Sequence, residues 1–340
     1  MIDDRNILMG NRASTLIYHI ARNLPQETLC LLPANVCYVV PMSLKLAGMR
    51  IEFVDIDPVT LSLPPDEVLR RIYRDTDPVT FLLHNRPYGA RLSQDDDFLR
   101  EIAVDRPNVV LVDDRCMCRP DLDAAEAELV PGVDWTLYST GYAKYCDLGF
   151  GGYAFNINRT SLGVTKLTAL QRGEQLSVFM KEVDRLLACG DALADNSDLY
   201  SRDWLDQRLL ELSEAEYFEQ LRIRRDLMDQ RKRAINDTYR EVVGLSYCLP
   251  DNYQNWRFNI LSSNRDRLLQ DLADVGLFAS GHYAVSAKLF GSKNFPNASA
   301  LSSSVVNLFN DLYIQFSQVE QVADIVNKHL RVYGVESAVG

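Results

Sequence analysis

Apolar and polar residues follow two rhythms in the first half of the chain. Leu16, Ile20 and Leu24 recur at i, i+4 and i+8 with Ile17 and Ala21 beside them, which is the stripe of an amphipathic helix. Short apolar runs of strand character follow at 29–32, 51–54, 79–83, 109–112, 135–138 and 152–155. Helical spacing returns between several of them, at about 38–48, 65–74 and 95–103. Strands alternating with helices predict βαβ units and a mostly parallel central sheet flanked by helices. Ligands of such sheets sit beyond the carboxyl ends of the strands. His84, Asp114 and Ser139 each fall just after such an end.

The pattern changes at about 163–241, where charged residues are dense and strand signals sparse, and 213–239 reads as almost wholly helical. Solvated helix faces packed on the domain and on a partner are the expectation there. Beyond Pro250 come a strand at 257–261, a helix at 265–275, a Ser/Asn/Gly-rich stretch at 286–304 read as mobile, and a closing helix at 319–332. The expected organisation is a large α/β domain over 1–245, with the helical block inside it, and a smaller α+β domain over 246–340. No internal repeat or low-complexity tract is evident.

Composition narrows the class. A chain of 340 residues can bury a large core, with two domains the expectation, and 47 % apolar with 24 % charged residues is ordinary for a globular protein. A net charge of −11 argues against broad electrostatic binding to nucleic acid. No apolar run approaches the length of a membrane span, and the acidic start Met1-Ile2-Asp3-Asp4-Arg5 lacks a signal-peptide core, so a cytoplasmic protein is expected. Seven scattered cysteines do not form a disulfide framework, and Cys116-Met117-Cys118 has no second His/Cys pair nearby to complete a metal site.

The candidate chemistry centres on 138–152, where Ser139 precedes Lys144 by five residues and Gly149-Phe150-Gly151-Gly152 leads into an apolar strand. A lysine there suits a Schiff base with an aldehyde cofactor, and the serine suits that cofactor's phosphate. Upstream, the run 109–112 ends in Asp113-Asp114, delivering a carboxylate where the ring nitrogen of pyridoxal phosphate (PLP) needs one. Asp114 is the candidate; Asp113 is read as structural, since adjacent residues do not easily aim both carboxylates into one site. Before the first helix, Ala13 and Ser14 in Gly10-Asn11-Arg12-Ala13-Ser14-Thr15 offer amides and a hydroxyl to a phosphate. Arg12 reads equally as a phosphate or substrate contact or as a surface charge.

These residues together resemble the DegT/DnrJ/EryC1/StrS family of PLP-dependent sugar aminotransferases of fold type I, over roughly residues 10–157. Ser139, Lys144 and Gly149-Phe150-Gly151-Gly152 fit its S-x4-K-x4-GEGG pattern, and 53–61 fits its "FVDIDPxTL". Softer matches are Pro33-Ala34-Asn35-Val36-Cys37-Tyr38, His84 with Tyr88-Gly89 as "H-x-YG", and Leu111-Val112-Asp113-Asp114 as "VIED". The resemblance implies PLP as cofactor and transfer of an amino group from an amino acid, usually glutamate, to a keto group on a nucleotide-linked sugar. Such sugars serve polysaccharide or secondary-metabolite biosynthesis. It implies Lys144 as the anchor and general acid/base, Asp114 at the ring nitrogen, and Ser139 with Ala13 and Ser14 at the phosphate. It also implies a ring stacked near Cys37-Tyr38, and a homodimer whose partner completes the site.

This chain departs from the pattern in three places. Met117 stands where the family has Gln or His near the cofactor's phenolic oxygen, Phe150 replaces the Glu of GEGG, and Cys37 falls at the aromatic position, with Tyr38 one residue away. For the partner asparagine that reaches the phosphate, Asn196 is the only guess. Two other readings therefore stay open: another PLP reaction such as elimination or dehydration, and a PLP-fold protein that binds without catalysing. Arg12, His84, Arg86 and Arg257 are candidate substrate contacts, with Arg115 and Arg119 further possibilities. Trp256, His19 and His329 read as structural.

Overall fold

The computed structural model describes residues 7–74, 79–156, 181, 210–281, 285–290 and 294–336. The positions 163–180 and 182–209 of the helical block, with Asn196, lie outside the described residues.

Seven strands form the main sheet: β1 (Ile7–Gly10), β2 (Leu29–Pro33), β3 (Arg50–Val54), β4 (Thr80–Asn85), β5 (Val109–Asp114), β6 (Trp135–Ser139) and β7 (Gly152–Asn156). Their order is β1-β7-β6-β5-β4-β2-β3, parallel from β3 through β6, with β7 antiparallel to both β6 and β1. Strand β1 carried no sequence signal; its four residues form only because β7 supplies a complete ladder.

Helices α1 (Ala13–Arg22), α2 (Val39–Leu46), α3 (Pro65–Arg74) and α4 (Ser93–Asp105) occupy the predicted places. α1 and α2 cover one face, where Leu16, Ile20 and Leu44 meet Leu32, Leu83, Val112 and Leu137. α3 and α4 cover the other, where Val68, Ile72, Phe98 and Ile102 meet Leu31, Leu82 and Leu111. The middle strands are thus sandwiched, which is why they read as unbroken apolar runs rather than as alternation.

The 29-residue helix α5 (Glu214–Val242) begins with a capping box between Ser213 and Glu216. Its first half packs on Tyr138, Tyr153 and Phe155 of the main sheet through Tyr217, Leu221 and Met228. Its last turns, with Ile235 and Tyr239, join the core of a second sheet. That sheet is antiparallel, in the order β8 (Phe258–Leu261), β10 (Val305–Leu308), β9 (Ala279–Gly281). It is backed by α6 (Arg265–Ala273) and α8 (Phe316–Tyr333).

The stretch read as mobile contains a short helical turn at Ser286–Phe290 and the helix α7 (Pro296–Ser304). This is a correction, and its cause lies at a distance. The Asp55 carboxylate accepts from the amides of Asn297 and Ala298 at 3.0 Å each, capping α7 from another part of the chain. Phe290 and Phe295 pack on Phe53, with centroids 5.6 and 6.4 Å away. The "FVDIDP" element is therefore a docking site for the C-terminal segment. Asp57 makes its turn, accepting from Val59 and Thr60 at 2.8 Å.

α1 starts at the carboxyl edge of the parallel strands because β1 delivers it there beside Gly152. A Cβ on Gly152 would come within 2.6 Å of the Ala13 nitrogen, a backbone atom that has nowhere to move. Gly152→Ala is expected to cost about 2–3 kcal/mol through this overpacking, read as a lowered midpoint in denaturant unfolding.

Candidate active site

The carboxyl ends of β4, β5 and β6, the start of α1 and the loop after β6 enclose one cavity of about 440 Å³. That volume suits a cofactor with part of a substrate. Arg12, Ala13, Ser14, Cys37, Tyr38 and Arg86 line it, as do Asp114, Met117, Ser139 and Lys144. Ten of the twelve candidate residues therefore converge. Asn35, Asn85, Cys116 and Tyr142 also line it, without having been singled out from the sequence.

The pleat of β5 separates its two carboxylates. Asp113 faces the α3/α4 side, fully buried between two guanidiniums: Arg86 Nε donates to Oδ1 at 2.7 Å and Arg115 Nε to Oδ2 at 2.8 Å. Burial alone would push this carboxyl up, but Arg86 and Arg115 outweigh it and hold it well below the usual range. Asp114 faces the cavity, buried to 7 % exposure, and Oδ1 accepts the Cys116 amide at 2.9 Å. Here desolvation dominates and raises the carboxyl, only partly offset by the Cys116 thiol and amide and by the Lys144 charge. A carboxylate so placed gains from a cationic partner such as a protonated pyridine nitrogen.

Lys144 is half-buried on a loop that is fastened at every side. Asp147 accepts from the Ala143 amide at 2.9 Å and the Gly149 amide at 2.8 Å. Arg12 Nη1 donates to the Gly149 carbonyl at 2.7 Å and lies 4.9 Å from the Tyr142 ring centroid. Thr140 Oγ1 bonds the Phe150 carbonyl and the Tyr217 hydroxyl, both at 2.7 Å. Trp256 Nε1 donates to the Ala143 carbonyl at 2.6 Å, so this core residue also clamps the loop. The residue before the lysine, Ala143, sits at φ +56°, a conformation that the fastening must impose. Gly151, at φ +93°, leaves no room for a side chain, since a Cβ would meet Thr140 Oγ1 at 2.6 Å.

A second lysine lies beneath this loop. Lys232 of α5 is buried, donating to the Trp256 carbonyl and to Asn310 Oδ1, both at 2.7 Å, with the Tyr145 ring 5.0 Å away. Burial, with Arg257 nearby, brings its ammonium down to about 7. No sequence signal distinguished it from the other charges of the helix.

Two substrate candidates lie elsewhere. His84 is fully buried on the Asp113 face, 3.4 Å from Asp95 and edge-on to Phe98. Counting back from Tyr88-Gly89, an H-x-Y-G pattern places its histidine at position 86, where Arg86 stands. Arg257 is buried against Asp311 and over the Phe309 ring at 4.0 Å. Arg86 touches the cavity, but its guanidinium is committed to Asp113 and Asp96. Arg115 and Arg119 are likewise engaged, by Asp113 and by Asp229 with Glu126.

The ligand chemistry of the cavity fits PLP. Helix-start amides and the Ser139 hydroxyl, which suit an anion, line it together with a desolvated carboxylate and the amine of the loop lysine. No model of a known protein family matches the chain, and no curated protein does. Solved structures do. DesI, determined in the presence of its TDP-sugar product, aligns over 95 % of this chain and 80 % of its own at 17 % identity and a TM-score of 0.66. DesV of S. venezuelae, in complex with a ketimine intermediate, aligns over 95 % and 84 % at 18 % identity and a TM-score of 0.63. A DegT DnrJ EryC1 StrS aminotransferase from Brucella abortus aligns over 95 % and 86 % at 16 % identity and a TM-score of 0.62. The chain has the fold-type-I transferase fold. Among the described residues, no helix is long and apolar enough to cross a membrane.

The two aspartates are expected to respond oppositely to mutation. Asp114→Asn removes a desolvated charge and should raise the melting temperature of the cofactor-free protein by about 2 °C. Asp113→Ala strands two buried guanidiniums and should cost about 3–5 kcal/mol. Lys232 gives a pH signature. Its folded pKa of about 7 lies below that of an unfolded lysine, so from pH 7 upward the unfolded chain holds a proton that the folded one lacks. Stability should therefore rise between pH 7 and about 10, and Lys232→Met should flatten that rise in unfolding titrations at pH 7 and 9.5.

Proposed function

We propose that this chain is a PLP-dependent aminotransferase that moves an amino group from an amino acid, glutamate first, to the keto group of a nucleotide-linked sugar. The convergence of Lys144, Asp114, Ser139 and the start of α1 on one cavity carries this reading. The likeness to DesI, solved with its TDP-sugar product, and to DesV supports it at the level of the fold.

Bound there, PLP would supply an aldehyde for the amino group and a ring that accepts electrons. The protein does the rest. Asp114, desolvated and at the floor of the site, keeps a proton on the ring nitrogen. The α1 amides of Ala13 and Ser14, with Ser139 Oγ, hold the phosphate. Lys144 Nζ anchors the aldehyde and, once freed, carries a proton to and from the reacting carbon. The fastened loop keeps that amine in reach, so little ordering is left to the reaction. Cys37 and Tyr38 wall the cavity beside the site, and Tyr142 offers a further ring.

We further take the protein to act in the cytoplasm as a homodimer whose partner completes the site. Exposed Leu227, Leu312, Tyr313 and Phe316 provide apolar surface for such a contact.

Purified protein mixed with PLP is expected to show a visible absorption band, and Lys144→Ala should abolish it. An unchanged band in that variant would sink the lysine assignment. Glutamate should bleach the band of the unmodified protein, and a keto sugar nucleotide should restore it. A band that no amino acid bleaches would favour a binding protein over an aminotransferase.

A further inference from the structure

The two residues that flank Lys144 are both held from beneath, and the two holds meet at one buried group. On one side the Ala143 carbonyl accepts from Trp256 Nε1 at 2.6 Å. On the other, the Tyr145 hydroxyl donates to Oδ1 of Asp229 on α5 at 2.7 Å. Lys232, on the same helix, places its ammonium 5.0 Å from the Tyr145 ring centroid and donates to the Trp256 carbonyl at 2.7 Å. It also donates to Asn310 Oδ1 at 2.7 Å. Trp256 lies just before β8 and Asn310 just after β10, at the end where Phe258 pairs with Leu308. The ammonium therefore ties that end of the smaller sheet to the lysine loop.

Packing alone does not call for a charge there. Lys232 is 3 % exposed, and both hydrogen bonds go to neutral oxygens. Desolvation weighs most against the ammonium, Arg257 adds to it, and Asp311, Cys146 and Asp229 offset them only in part. A methionine of similar length would fill the space without burying a charge. What the charge supplies is a grip on both neighbours of Lys144. Ala143 needs such a grip, since its φ of +56° persists only where the surroundings impose it.

We propose that Lys232 is a positioning residue for Lys144: its ammonium joins the Trp256 carbonyl, the Asn310 side chain and the Tyr145 ring, and so sets the backbone from Ala143 to Tyr145 that carries the reacting amine. This rests on the functional reading above. An amine that first anchors the cofactor's aldehyde and then carries a proton to and from the reacting carbon depends on where its backbone stands. Loosening that backbone slows the proton transfer and leaves the contacts that bind cofactor and amino acid in place.

The test is the glutamate half-reaction of the protein loaded with pyridoxal phosphate, followed as bleaching of the visible band. It compares the unmodified chain with Lys232→Met, Trp256→Phe and the double variant. Phenylalanine keeps a ring but has no N–H for the Ala143 carbonyl. Each single substitution should lower the maximal bleaching rate about tenfold through misplacement of the amine. Cofactor affinity and the glutamate concentration at half-maximal rate should not change. The double variant should be no slower than Lys232→Met, because both residues act along one path. Circular dichroism of the visible band, which reports the geometry around the bound cofactor, should weaken in the same variants. If Lys232→Met fails to fold, Lys232→Gln, which keeps an N–H donor without the charge, takes its place. A folded Lys232 variant with the unmodified rate and dichroism overturns the proposal, even if it melts lower, and so do losses that add in the double variant. If the unmodified protein gives no band, the cofactor reading falls and this inference with it. A band that no amino acid bleaches sinks the aminotransferase reading alone, and the dichroism then decides the role of Lys232.

Discussion

The pleat of the central parallel strands is the constraint on which the rest of this molecule depends. Successive side chains of β5 must leave opposite faces of the sheet, so Asp113 and Asp114 cannot share an environment. One becomes the centre of a buried ion cluster with Arg86 and Arg115, which ties the carboxyl ends of β4 and β5 together. The other lines the cavity, bonded by Cys116 and facing the charge of Lys144. The same pleat lines up Asn85 and Ser139 beside Asp114. A row of polar groups on an otherwise apolar face thus arises from register alone.

Around that row the chain stabilises a backbone that would not hold its shape by itself. The lysine loop carries Ala143 at a positive φ and contains two glycines, Gly149 and Gly151, in the same region of backbone space. It is held by Arg12 from the start of α1, Tyr217 from α5 and Trp256 from the bend just before β8 of the smaller sheet. Three distant segments therefore determine where one amine stands. Helix α5 is the common support, since it packs on the main sheet near its start and on the smaller sheet near its end. A change in how the smaller sheet docks would reach Lys144 through Trp256 and Lys232.

Much of the fold was legible because its strands and helices are strongly periodic and long enough to declare themselves. The six apolar runs all became strands, and the four early helices lie where their spacing predicts. What escaped was structure made by partners distant in sequence. Strand β1 exists because β7 pairs with it, and α7 forms in a stretch of weak helix formers because Asp55, some 240 residues earlier, caps it. For the site, motif spacing singled out the residues around Lys144, whereas most of the candidate arginines are engaged by carboxylates of the fold. A guanidinium in the sequence looks available, but Arg86, Arg115 and Arg257 are each neutralised by a carboxylate that only the fold brings near.

By itself the sequence determined the alternation of strand and helix, and with it the edge of the sheet where chemistry is placed. It also determined the lysine, serine and aspartate at that edge, because local spacing is a property of the chain alone. The tertiary structure decided which of two adjacent aspartates meets the cavity. It decided as well that His84 turns away from it, and that Asn85, unremarkable in the sequence, lines its wall. Those outcomes depend on face, register and the nearness of opposite charges, and none of these exists until the strands are paired and the helices packed upon them.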